Sequence, residues 1–358
     1  MAGLSFGFLM TMIVGPLSDR RGSRGLLLAY EVASAVASLA TVFASDAVVL
    51  IAAATIAGFG RGANGAAGPF APVEQAWIAR ETEGAARRRA LSLNATIGFL
   101  GMGLGAGLVA LPTLFGRPFS DPATYRLLFL LPFASSITCA TLIGATREAP
   151  RGSVAALGAA DPRAAQSLTM AENRDLRRLA LSNAFNGLGI GLVGPLMAYW
   201  FARRFGARPD AIGPALAAGF LLAAAGSVLN ERIGARIGTV GSVVRMRAVG
   251  LAAMFAMPLV ARFGEAVSLY AVRAAFNQGT AGARQTVAAG LTRPERRGLA
   301  ASVQTLSMQI PRAAGPVLGG WLMHANRFAA PFLIAAGLQA LHLYLYRRFF
   351  SGRDAITA

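Results

Sequence analysis

The sequence contains no lysine: all 34 basic residues are arginine. It has a single cysteine, Cys139, and two distant histidines, His324 and His342. A lone cysteine inside an apolar run excludes a disulfide framework, and two histidines without ligand-spaced companions predict no metal site. Charged residues make up only 14% of the chain, against about a quarter in a soluble domain, so the polar coat of a soluble protein is missing. No G-x-x-x-x-G-K-[ST] run is present, which argues against ATP drive through a P-loop. No cofactor is expected, and no residue pattern suggests an enzyme. Met1 opens an apolar stretch with no basic residues before it, and arginines follow it, the reverse of a cleaved signal peptide.

What the chain does have is apolar length. It is 55% hydrophobic with a mean hydropathy of +0.53, and apolar runs of spanning length recur from end to end. Continuous runs, rather than dyad alternation, predict membrane helices and not a barrel. Eleven spans can be drawn, at roughly 1–17, 26–44, 47–68, 92–112, 124–145, 178–201, 211–229, 240–261, 266–287, 299–323 and 328–348. Threading these spans through a bilayer places 24 arginines in or beside alternate loops, among them the groups Arg232 to Arg247 and Arg284 to Arg297, and seven on the other face. That asymmetry places the Arg-rich loops and the C-terminus in the cytoplasm. Arg61, Arg273 and Arg312 fall inside apolar segments. A net charge of +18 could suggest nucleic acid, but no basic patch interleaved with aromatics is present, and none is expected as a partner.

Between the first two spans lies Gly15-Pro16-Leu17-Ser18-Asp19-Arg20-Arg21-Gly22-Ser23-Arg24-Gly25. The pattern G-x-x-x-D-R-x-G-x-R resembles the short cytoplasmic loop between the second and third helices of major facilitator superfamily transporters. There the loop locks the cytoplasmic ends of two helices in one state of the transport cycle. The resemblance implies an all-α membrane protein: a two-lobe helical bundle around a central cavity that opens alternately to either side. The residues suit the lock. Gly22 and Gly25 allow a tight turn, Asp19 can accept from the free N–H groups of a helix N-terminus, and Arg20, Arg21 and Arg24 can reach carboxylates or lipid phosphates.

The loop has an echo. Glu231-Arg232-Ile233-Gly234-Ala235-Arg236 repeats its acid, Arg, Gly and Arg at a displacement of 212. Arg273 stands at the same displacement from Arg61. Parallel repeats of this kind mark the two halves of the superfamily fold. The expected organisation is an N-terminal transmembrane lobe over 1–145, a cytoplasmic linker over 146–177, a C-terminal lobe over 178–350 and a tail over 351–358. Subtracting the displacement places the partner of the 178–201 helix before residue 1. The repeat therefore predicts five helices followed by six, beginning at the family's second helix.

The candidate gating residues are Gly15, Asp19, Arg20, Gly22, Arg24, Glu231, Arg232 and Gly234. Arg61 and Asn64 lie in R-G-A-N-G, which resembles the family's fourth-helix pattern R-x-x-Q-G and is linked to proton exchange in proton-coupled members. A structural arginine bonded to carbonyls is the competing reading. The glycine run Gly98 to Gly107 contains Gly101-x-x-x-Gly105, read as close helix packing. Gly315-Pro316-Val317-Leu318-Gly319-Gly320 keeps the proline of the antiporter motif. Glu74 could pair with the opening-loop arginines. Arg312, flanked by Pro311 and Pro316, falls near mid-membrane, where an arginine needs a carboxylate, water or an anionic substrate. Asn183, Asn186, Asn277, Gln278, Gln304 and Gln309 are candidate cavity liners, or equally interhelical hydrogen bonders.

The resemblance implies secondary transport of a small solute by a monomer among membrane lipids. Proton-coupled efflux of a drug, sugar or metabolite from a bacterial inner membrane is the leading subtype. The carboxylates that could carry the proton, Glu31 and Glu74, are peripheral, toward the cytoplasmic ends of their helices. The rival reading is a non-transporting scaffold or remnant of the same fold.

Overall fold

The computed structural model describes residues 2–57, 70–108, 126–148 and 162–353. Among these residues there is no strand. Helices α1 (Ala2–Arg21) and α2 (Arg24–Phe43) are joined by a two-residue turn. Gly22 supplies it with φ 105°, a conformation that side chains disfavour. Helix α3 (Ala47–Ala57) is followed by α4 (Ala71–Glu81), α5 (Gly84–Leu108) and α6 (Leu130–Ala145). Arg61 and Asn64 lie outside the described residues.

Helix α7 (Pro162–Val193) passes through a 3-10 turn into α8 (Met197–Phe205), and α9 (Pro209–Ile237) and α10 (Thr239–Ala256) follow. Helix α11 (Phe263–Arg273) continues through a π-turn, Ala274–Gln278, towards α12 (Ala281–Gly290). Helices α13 (Arg297–His324) and α14 (Ala330–Phe350) complete the bundle. The expected linker 146–177 is thus helical from Pro162 onward and runs unbroken into the next span.

Five described helical stretches are long and apolar enough to cross a membrane: Arg24–Phe43, Leu127–Ala145, Gln166–Phe205, Ala211–Ile237 and Thr239–Leu259. The expected span along α11–α12 is broken at Gly279 and Thr280 into shorter helices, and this span, α13 and α14 are also polar inside. Their interiors carry Arg273, Asn277, Gln278, Arg284, Arg312, Gln339 and His342, most of them buried or half-buried. These side chains face protein rather than lipid. The opposite surface is apolar, with Phe43, Leu104, Leu142, Val317 and Trp321 all exposed, as a bilayer requires.

Packing ties the helices together at two levels. Near one end, Trp200, Phe201, Met254, Met257, Tyr270 and Phe332 form a buried cluster. The Trp200 and Phe332 rings lie 4.6 Å apart and the Phe201 and Phe263 rings 5.3 Å apart. Near the middle, α7 and α13 touch backbone to backbone. A Cβ on Gly187 would strike the Met308 carbonyl, and one on Gly191 the Arg312 carbonyl. A Cβ on Gly315 would strike the Gly191 backbone, and one on Gly319 the Leu192 carbonyl. Two G-x-x-x-G faces therefore meet, the arrangement that small residues allow in membranes. The expected contact at Gly101 and Gly105 is not made by the described residues, none of which places an atom within 4 Å of a Cβ built on either. In α5 it is Gly103 that is crowded, against Leu221 of α9.

Candidate functional site: an arginine-lined cavity above a latched end

The Arg-rich end of the bundle is latched by Asp19. Its Oδ1 accepts from the Gly298 N–H at 2.8 Å and its Oδ2 from the Leu299 N–H at 3.0 Å. These are orphan donors in the first turn of α13, where the helix dipole also favours an anion. Arg80 of α4 donates to the same carboxylate from 3.0 Å and to the Ser23 hydroxyl. Arg297 returns the contact by donating to the Ala79 carbonyl. Gly15 and Gly298 let α1 and α13 approach: a Cβ on Gly298 would strike the Gly15 carbonyl, and one on Gly15 the Ser302 hydroxyl. Burial lowers the Arg297 guanidinium to about 10, assisted by the neighbouring Arg87 charge. It stays protonated at neutral pH.

The arginines of the opening loop do different work. Arg20 is exposed. Arg24 donates to the Gly144 carbonyl at 2.6 Å, placing a cation at the C-terminus of α6. Glu148 accepts from the Ser23 and Arg24 N–H groups and so caps α2. Gly25 lies inside α2 and makes no turn.

The echo departs from the expected loop. Glu231, Arg232 and Gly234 all lie within α9, which runs to Ile237. The turn glycine there is Gly238, with φ 85°, so α9 continues one turn past the register of the first copy. Arg232 is exposed, and Gly234 is buried near Ser242 and Arg88. Glu74 departs too: its side-chain hydrogen-bond partner is Asn94 of α5, and the nearby carboxylate is Glu31, which bonds Ser136. Arg80 takes the latch position that had been expected of Glu74.

Further into the bundle lies a cavity of about 430 Å³, within the range of small-molecule sites. Its wall holds Arg273 and Arg312, both singled out from sequence, together with Asn277, Gln278, Gln304 and Gln309. It also holds Arg247 and Arg284, which had been assigned to loops. Gln75, Gln285 and Thr305 were likewise not anticipated. Among the described residues no carboxylate lines it. Arg247, Arg273 and Arg284 are 1%, 6% and 7% exposed, so their charges are held away from solvent. One Arg247 nitrogen is held by Asn186 Oδ1. Its Nε and Nη1, and Nε of Arg273 and Arg284, have no hydrogen-bond partner among the described residues.

Asn183 and Asn186 do not line the cavity. Asn183 donates to Gln304 Oε1 at 2.8 Å and so ties α7 to α13, while Asn186 orients Arg247. Asn277 does both jobs, lining the wall and donating to Gln339 at 3.2 Å.

The Major Facilitator Superfamily model matches residues 179–354, which include every arginine of the cavity. The chain belongs to this superfamily. Comparison with curated proteins by sequence returned no match. Solved structures with a similar fold span nearly all of the chain. The E. coli fucose:proton symporter FucP is 12% identical with a TM-score of 0.74, covering 97% of this chain and 89% of that one. The proton:xylose symporter XylE is 14% identical with a TM-score of 0.72, covering 99% and 84%. The human organic anion transporter MFSD10 is 19% identical with a TM-score of 0.67, covering 96% and 82%. The chain is therefore a multi-pass membrane protein of transporter fold.

Proposed function

We propose that this protein is a secondary transporter of a small anionic solute. One observation carries the reading: four arginines from α10, α11, α12 and α13 converge on one cavity with no carboxylate among the described residues of its wall. Each charged residue held at the centre of a membrane helix costs about 3 kcal/mol or more. Four together are tolerated where an anion completes the site. The like-folded proteins include two sugar symporters and one organic anion transporter, so the fold leaves substrate open and the arginines favour the anion.

The proposed cycle starts from the conformation seen here, with Asp19, Arg80 and Arg297 holding one end shut. The Arg-rich end faces the cytoplasm, in keeping with the positive-inside rule. An anion enters the cavity from the far side, its charge offsets the arginines, and the latch at α13 opens. Movement in the other direction, efflux, uses the same two states. The lobes over 1–145 and 178–350 move against each other, and α1–α13 and α5–α9 are the surfaces that part. Proton coupling, where it occurs, runs through Glu31 of α2 and Glu74 of α4, which sense each other's charge.

Reconstituted vesicles test this. Labelled organic anions should accumulate and neutral sugars should not, and the Arg247→Gln variant should lose uptake. Uptake of sugars with no response to anions would overturn the reading. An imposed pH gradient on the same vesicles, with Glu74→Gln as the comparison, reads the proton.

A further inference from the structure

The arginines of the cavity are arranged in two tiers. Arg273 closes α11 on one side of the π-turn, and Arg284 lies in α12 on the other. Ten residues separate them: the π-turn, a short turn at Gly279 and Thr280, and the first residues of α12. Arg247 lies about 12 Å along α10 from its start at the latched end, and Arg312 about 22 Å along α13 from the same end. Arg247 and Arg284 thus form an inner tier, and Arg273 and Arg312 a middle one. Within each tier the two charges are in electrostatic range of each other, and Arg247 also senses Arg273.

A singly charged solute would offset one guanidinium and leave at least two of the buried Arg247, Arg273 and Arg284 facing one another. Uncompensated buried charge is strongly unfavourable. Each tier also retains an open donor, at Arg247 and Arg284 in one and at Arg273 in the other. Asn186 and Met308 brace the inner pair from α7 and α13, so its direction is set before a ligand arrives. π-turns recur at functional sites, and here the turn sets the separation of the tiers.

We infer that the transported solute carries two separated anionic groups, one held by Arg273 and Arg312 and the other by Arg247 and Arg284. A dicarboxylate, or a phosphate ester that also bears a carboxylate, has this chemistry. The inference rests on the anion reading and narrows it.

The test uses the purified full chain in detergent and two series of probes. One is the straight-chain dicarboxylates from succinate to suberate, and the other is monocarboxylates of equal carbon count. Binding is read by thermal shift and calorimetry. One dicarboxylate length should bind about tenfold or more tightly than its monocarboxylate partner, the gain of one further charge-assisted contact. Arg284→Gln and Arg312→Gln should each bring the two series together, and Arg284→Lys should restore part of the difference, which separates lost charge from lost folding. Equal binding of the two series at every length overturns the two-group inference and leaves the anion reading standing. No binding by either series, with a neutral sugar stabilising the protein, overturns both.

Discussion

Asp19 shows how much one side chain can organise. A single carboxylate satisfies two backbone donors of α13 and the guanidinium of Arg80. Hydrogen bonds to a charged group contribute about 1.5–3 kcal/mol each. Removing the carboxylate should therefore shift the balance towards the open end by about tenfold or more. Ala79 is fully buried beside this contact, and the chain has only one native cysteine. In a Cys139→Ser, Ala79→Cys protein, adding Asp19→Ala should raise the maleimide labelling rate by that factor, and an unchanged rate would remove Asp19 from the latch. Asp19 and its helix N-terminus were legible in the sequence because a spaced motif framed them. Arg80 and Glu148 were not, because nothing local marks a partner more than fifty residues away. Arg247 and Arg284 were hidden by company: each belongs to a run of arginines at the Arg-rich end, and simple counting assigned them to loops. Helical phase would have separated Arg247. It shares a buried face with Val243, Gly250 and Met254, while Arg245, two residues earlier, is exposed.

At the scale of elements, α7 and α13 form a joint held by absent side chains. Gly187, Gly191, Gly315 and Gly319 leave no room between the two backbones, and the joint carries Arg312 on one side and Asn186 on the other. The Gly315-Pro316 stretch, which resembles an antiporter motif, packs here as an interface. A methyl group at Gly315 forces the helices apart, and overpacking of this kind costs about 1–3 kcal/mol. Gly315→Ala should lower the melting temperature in detergent and weaken anion binding, since Arg312 is carried by the displaced helix. Gly320→Ala, at a position with open space around it, should change neither. Equal effects of the two would show that helix propensity, and not the close approach, is being read. Sequence periodicity placed these helices well. It read close packing at Gly101 and Gly105, where no described residue approaches, because a G-x-x-x-G pattern says that a face is small and not which neighbour it meets.

For the whole molecule, what matters is that both grips on the Arg-rich end close on one short segment. Asp19 holds Gly298 and Leu299 from α1, while Glu172, on the α7 extension, accepts from the Arg293 backbone at 2.9 Å and side chain at 3.0 Å and pairs with Arg296. Residues 293–299 are thus clasped from both lobes, and in the proposed cycle opening that end releases them from Asp19. Burial alone would raise the Glu172 carboxyl, but the hydrogen bonds and charges of Arg293 and Arg296 outweigh it and hold the group below its ordinary value. A depressed carboxylate contributes stability above the unfolded value, about 4.3 for glutamate, and loses it as pH falls through the lower folded value. Glu172→Gln should therefore melt below the wild type by a constant margin from about pH 8 to pH 5. The margin should shrink below about pH 4, as the wild-type carboxyl takes up its proton and comes to match the amide. Melting curves of both proteins across that range decide it. A margin still at full size at pH 3 would mean that the glutamate acts through its shape, and that its charge does not hold the segment.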